Sequence, residues 1–308
     1  MSRLLFTKEG AAIWSSHLDL MRALMRSFRR AGIDLKHSQG FTPHPELSIL
    51  MPLSVGVESQ CEIAEFTLAE GCAIPVSEIV PRLNPVLPAG IRALDCWEGG
   101  MKPGKLAWLR ARLTLRYEAS GVRHQASDPP VGCGSYPKGE PPARTFESSV
   151  ASHQSPGDGR TDPSAPLRSA QNDRIEALRA LFARPSLVVE KHSKKGPVEQ
   201  DIAPMIRELT VSAAGAVIGR PEEGSGIKDQ GSGIKDQGSE DGGNGFLAPL
   251  EMTGENAVVM EAVVAAQNPT LNPMLLVTAI ETWLPEYKPA QVRCRRIELY
   301  DADGKLFR

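Results

Sequence analysis

Residues Ser16 to Gly32 read Ser-His-Leu-Asp-Leu-Met-Arg-Ala-Leu-Met-Arg-Ser-Phe-Arg-Arg-Ala-Gly. Ser16 followed three residues later by Asp19 is a helix-capping pattern. Met21, Leu24, Met25 and Phe28 recur at helical spacing, while Arg22, Arg26, Arg29 and Arg30 gather on the opposite side. Gly32 is placed to end the helix near Ala31.

The flanks decide what this helix joins. Arg3–Phe6 reads as a strand before it, and Ile33–His37 as a short strand after it. Val55–Leu68 alternates as one long strand, Ser77–Leu87 reads as a helix interrupted by Pro81 and Pro85, and Ile91–Trp97 closes the series as a strand. The order strand, helix, strand, strand, helix, strand is that of a split βαβ, ferredoxin-like unit.

A second copy of the order is expected downstream. Leu106–Tyr117 reads as a strand, Arg174–Ala183 as a helix and Ser186–Lys191 as a strand. Ala257–Ala266, Met274–Trp283 and Val292–Tyr300 then supply strand, helix and strand. The expected fold is therefore α+β, with two tandem ferredoxin-like (βαββαβ) domains over residues 1–100 and 105–308. Residues 120–173 are rich in Pro, Gly and Ser, and residues 219–244 contain Gly-Ser-Gly-Ile-Lys-Asp-Gln twice. Neither stretch can bury enough apolar surface to offset chain entropy, so both are expected as disordered insertions.

Composition narrows the functional class. Hydrophobic residues at 41% and charged residues at 23% are those of a globular protein. A formal charge of -2 gives no whole-molecule attraction to polyanions, so nucleic-acid binding would need a local basic patch. No window approaches the roughly 18 apolar residues of a membrane span, which leads to the expectation of a cytoplasmic protein without a membrane partner. Cys61, Cys72, Cys96, Cys133 and Cys294 are scattered, which argues against a disulfide framework or a zinc ribbon and leaves no metal site expected.

The densest polar constellation is His17, Asp19, Lys36, His37, Gln39, His44 and Glu46. His37, His44 and His17 are the candidates for acid–base chemistry, because imidazole titrates near neutral pH; the competing role is hydrogen bonding to backbone in an irregular loop or a helix cap. Arg22, Arg26, Arg29 and Arg30, joined by Lys36, Gln39, Gly40, Phe41 and His44 of the loop, are the candidate binding residues. A row of guanidinium groups suits phosphate; the alternative is a solvated helix face. Lys194 and Lys195 form a second basic turn, and Arg293, Arg295 and Arg296 a third cluster. Three basic patches make RNA a candidate ligand, although none has the aromatic signature of an RNA-recognition motif.

Leu5-Phe6-Thr7-Lys8, Ser16-His17-Leu18-Asp19-Leu20-Met21-Arg22, Arg29-Arg30-Ala31-Gly32, Ser38-Gln39-Gly40-Phe41-Thr42-Pro43-His44-Pro45 and Pro52-Leu53-Ser54-Val55-Gly56-Val57-Glu58-Ser59 together resemble the bacterial radical SAM-linked protein family. Lys194-Lys195-Gly196, Asp201-Ile202 and Arg295–Tyr300 are similar to its second half, whereas Asn268–Pro273 departs from the Gly-Thr-x-Arg-Pro turn usual there. The resemblance implies a radical SAM partner carrying a 4Fe-4S cluster and S-adenosylmethionine. It does not imply a reaction. This chain has no Cys-x3-Cys-x2-Cys with which to hold such a cluster, so no cofactor of its own is expected. Two roles follow: an accessory protein that presents a substrate, RNA among the candidates, or an RNA-processing or RNA-modifying enzyme with a loop histidine as general acid or base.

Overall fold

A computed structural model describes residues 1–118, 165–193, 196–214 and 256–308. In chain order its elements are strand β1 (Ser2–Lys8), helix α1 (His17–Arg30), β2 (Leu47–Ile49), β3 (Glu58–Phe66), α2 (Val76–Leu83), β4 (Ile91–Glu98) and β5 (Leu106–Arg116). They continue with α3 (Ala165–Phe182), β6 (Val188–Ser193), β7 (Gly196–Asp201), β8 (Ile206–Ala213), β9 (Ala257–Ala265), α4 (Met274–Trp283) and β10 (Gln291–Asp301). The class is α+β: an eight-stranded mixed sheet in the order β4-β1-β3-β10-β5-β9-β8, with β2 also on β3, and a separate β6-β7 hairpin.

α1 forms where the capping pattern places it. The Ser16 hydroxyl accepts the Asp19 N–H at 3.2 Å and donates to the Asp19 carboxylate at 2.7 Å, and that hydroxyl is the main reason the Asp19 carboxyl lies below its ordinary range. Leu20, Leu24 and Phe28 are buried along one stripe. Gly32, at φ +70, turns the chain out of the helix in a conformation that a side chain would strain.

Two cores result. One packs α1 and α2 on β1 and β3, through Phe6, Phe28, Phe66 and Ile79. The other is built largely from the C-terminal half, where β5 turns Leu109, Ala111, Leu113 and Leu115 inward and leaves Arg112 and Arg116 exposed. The halves meet where β10 lies parallel to β3, through the pairs Arg295↔Glu58 and Arg296↔Ser59.

Three expectations need correction. Residues 33–37 are not the second strand: they make only the isolated bridges Leu35↔Leu68 and His37↔Pro45, and β2 pairs with β3 instead. The stretch 186–191 does not enter the main sheet; it is largely β6, paired with β7, and the strand beside β9 is β8. α3 starts at Ala165, so 165–173 is helical rather than part of a disordered insertion. The rest of that stretch, residues 120–164, and residues 219–244 lie outside the described residues. Among the described residues no helix is long and apolar enough to cross a membrane.

Candidate functional site

The four arginines of α1 share a face, but their surroundings divide them. Arg22 is paired with Asp19, Nη1 to Oδ1 at 3.2 Å. Arg30 donates to the carbonyl of Val86 at 2.6 Å and to Ser27. Arg26 and Arg29 are exposed and have no ion pair or side-chain hydrogen bond among the described residues.

These two border a groove of about 450 Å³ between the C-terminal half of α1 and the chain that follows it. Met25 gives the groove exposed apolar surface over the buried Phe28 and Ile33, His37 borders it from the loop, and Asp34 contributes one acidic group. His37 is placed there by a short ribbon. The Lys36 N–H donates to Thr67 at 2.8 Å, the Glu46 N–H donates to Lys36 at 2.7 Å, and the Ser38 N–H donates to His44 at 2.9 Å. Pro43 and Pro45 keep this ribbon from extending into a regular hairpin.

At the ribbon's end, the Ser38 hydroxyl accepts the His44 N–H at 3.2 Å and lies 2.9 Å from His44 Nδ1. His44 is thereby turned back toward its own loop. Gln39 and Gly40 are exposed, and Phe41 is fully solvent-exposed at 106%. Lys36 is half-buried, with its backbone tied to β3's end.

His17 does not join this set. It begins α1, whose 14 residues span about 21 Å, whereas the groove lies at the helix's other end. Its Nδ1 is buried without a hydrogen-bond partner. Lys194 and Lys195 lie outside the described residues.

The third basic cluster proves to be paired. Arg293 and Arg295 each place Nη2 2.6 Å from a different oxygen of Glu58, and Arg296 Nη1 lies 2.8 Å from Glu62 Oε1. Glu58 and Glu62 are almost wholly buried, as is Lys8, which donates to the Ser15 carbonyl at 3.0 Å. Burial is the main cause of a lowered Lys8 pKa; the nearby Glu62 opposes that shift and Arg296 adds to it. This six-residue network at the junction of the halves was not anticipated as a unit, because its acids lie more than 230 positions before the arginines they meet.

Among the described residues no three His, Cys, Asp or Glu side chains converge as a metal site. Burial pushes the Cys61 and Cys294 thiols up to about 12, the reverse of what a thiolate ligand needs.

The model of a family described as "Uncharacterized protein conserved in bacteria (DUF2344)" matches residues 2–229. Comparison with curated proteins gives no match.

Proposed function

We propose that this chain, which belongs to the conserved bacterial family DUF2344, is a non-catalytic accessory protein that holds a phosphate-bearing substrate, RNA being the one to test, for a radical SAM partner. The observation that carries this reading is the pair of guanidinium groups, Arg26 and Arg29, without a partner among the described residues, beside His37 in one groove. Their forks suit phosphate oxygens, and the partly exposed Met25 beside them suits an apolar or aromatic moiety between phosphates. The exposed Phe41 gives the neighbouring loop a point of attachment for the partner.

The strand orders support the ferredoxin-like part of the reading. β4-β1-β3-β2 and β10-β5-β9-β8 are both fourth-first-third-second in their own half, with antiparallel pairing throughout each. The described thiols do not fit an iron–sulfur cluster in this chain, so in this reading the 4Fe-4S cluster and S-adenosylmethionine belong to the partner, in the cytoplasm.

A second reading, RNA processing with a loop histidine as acid or base, rests on the Ser38–His44 contact. Among the described residues no third side chain is hydrogen-bonded to His44 in a way that would orient it as a base, which favours the binding role.

The test is co-purification of the tagged chain from its own cells, with bound proteins identified and bound RNA sequenced. Recovery of a radical SAM protein that is lost with Phe41→Ser, together with RNA lost in an Arg26→Ala/Arg29→Ala variant, is the expected result. RNA turnover abolished by His37→Ala or His44→Ala, with binding kept, would transfer the assignment to the enzyme.

A further inference from the structure

A second cavity, of about 160 Å³, lies between the two halves. Leu53 and Val57 of the N-terminal half face Leu109, Ala111 and Leu271 of the C-terminal half across it, and all five are buried. Into these apolar walls the fold sets one cation. Arg296 borders the cavity with a side chain only 7% exposed.

The guanidinium of Arg296 is half used. Nη1 donates to the Met51 carbonyl and to Glu62, both at 2.8 Å, while Nε and Nη2 have no hydrogen-bond partner among the described residues. Nε and Nη2 form the edge by which arginine grips a carboxylate with two parallel hydrogen bonds. Elsewhere in this protein the same two nitrogens converge on a single carboxylate oxygen, Glu65 Oε1 at Arg3 and Glu58 Oε1 at Arg293. At Arg296 the same edge is unfilled.

A second feature favours an anion at the same place. Asn272 and Pro273 border the cavity immediately before α4, and Asn272 Oδ1 accepts the Met274 N–H at 3.1 Å. The positive end of a ten-residue helix is thus directed to this region.

We propose that this cavity is a binding site for a small monoanionic ligand with an apolar body, a carboxylate the size of benzoate, gripped by the Nε–Nη2 edge of Arg296 between the two halves. It is independent of the groove beside α1. Because both halves supply walls, occupancy would hold them in one fixed relation.

The experiment titrates the full chain with sodium benzoate and with neutral benzamide, following binding by calorimetry and by chemical-shift changes. Benzoate is expected to saturate, with benzamide weaker by at least about tenfold, the loss that accompanies removal of a charged hydrogen-bond partner. Ala111→Leu, which fills the cavity while leaving Arg296 in place, is expected to abolish benzoate binding in a folded chain; Leu271→Phe is a second filler should the first not fold. Absence of saturable benzoate binding, equal affinity for benzamide, or undiminished binding by a folded filler variant would each overturn the proposal.

Discussion

Arg296 Nη1 and Glu62 Oε1 lie 2.8 Å apart and 234 positions apart in sequence, with both side chains buried. The last described strand is thereby tied to the third by an ion pair at the place where the halves meet.

Breaking that pair from one side leaves the buried Glu62 carboxylate without its hydrogen-bonded guanidinium, with Lys8 as its remaining cationic neighbour. Arg296→Met is expected to cost about 3–5 kcal/mol in urea unfolding, and the double variant with Glu62→Gln less, because the carboxylate that lost its hydrogen-bonded guanidinium is then neutral and Lys8 is the one charge left there. Equal losses in the single and double variants would show that Glu62 has another stabilising partner.

The groove arginines should behave in the opposite way. Arg26→Ala and Arg29→Ala are expected to shift folding stability by no more than about 0.5 kcal/mol, since neither residue has a partner to lose among the described residues. If RNA is the ligand, each should reduce the slope of log K against log salt by roughly 1. An unchanged slope in both would remove phosphate contact from the account.

Alkaline pH should loosen the fold before it loosens an isolated peptide. Burial raises the Cys61 and Cys294 thiols from 9.0 to about 12. Because the folded state binds these protons more tightly, their contribution is complete below pH 9 and is lost as pH climbs toward 12, by at most about 1.4 kcal/mol per pH unit for each thiol. Denaturant midpoints measured between pH 8 and pH 11 should fall, and should fall less in Cys61→Ala and Cys294→Ala than in the parent.

Gly90 has no room for a side chain. It sits at φ +84, where a Cβ would overlap the Glu9 carbonyl oxygen that begins the turn after β1. Gly90→Ala should cost about 1–3 kcal/mol in stability, whereas Gly104→Ala, at a position with open space, should be near neutral. Thermal unfolding of the two variants side by side makes the comparison.

How much of this was legible depended on the distance over which each feature is determined. α1 and β5 carry their own period, so Ser16, Leu24 and Phe28, and the alternation from Leu109 to Leu115, announce themselves locally, whereas Leu20, which is buried, lies off the expected face and Met21 and Met25 are only partly buried. β2 does not: Leu47–Ile49 is three residues long and follows two prolines, whereas Ile33–His37 has better strand composition but makes only isolated bridges. β8 reads Ile-Arg-Glu-Leu-Thr-Val-Ser-Ala, an uneven alternation, and it takes its place by pairing with β9 across an intervening segment of over forty residues. Arg26, Arg29 and His37 were each visible as candidates, but their shared groove depends on the ribbon that folds Lys36 against Thr67. The arginines near the C-terminus looked like a polyanion surface because Glu58 and Glu62 gave no local sign of being their partners.

The parallel contact of β10 with β3 also orders events during synthesis. Every other described strand leaves the ribosome before β10 exists, so β3 and β5 wait with unpaired edges that other chains could join. An interrupted translation product ending before Gln291 would keep both edges open, with Glu58 and Glu62 still lacking their arginines. Exposed strand edges of this kind invite association with other chains, and pairing of β10 with β3 and β5 removes them.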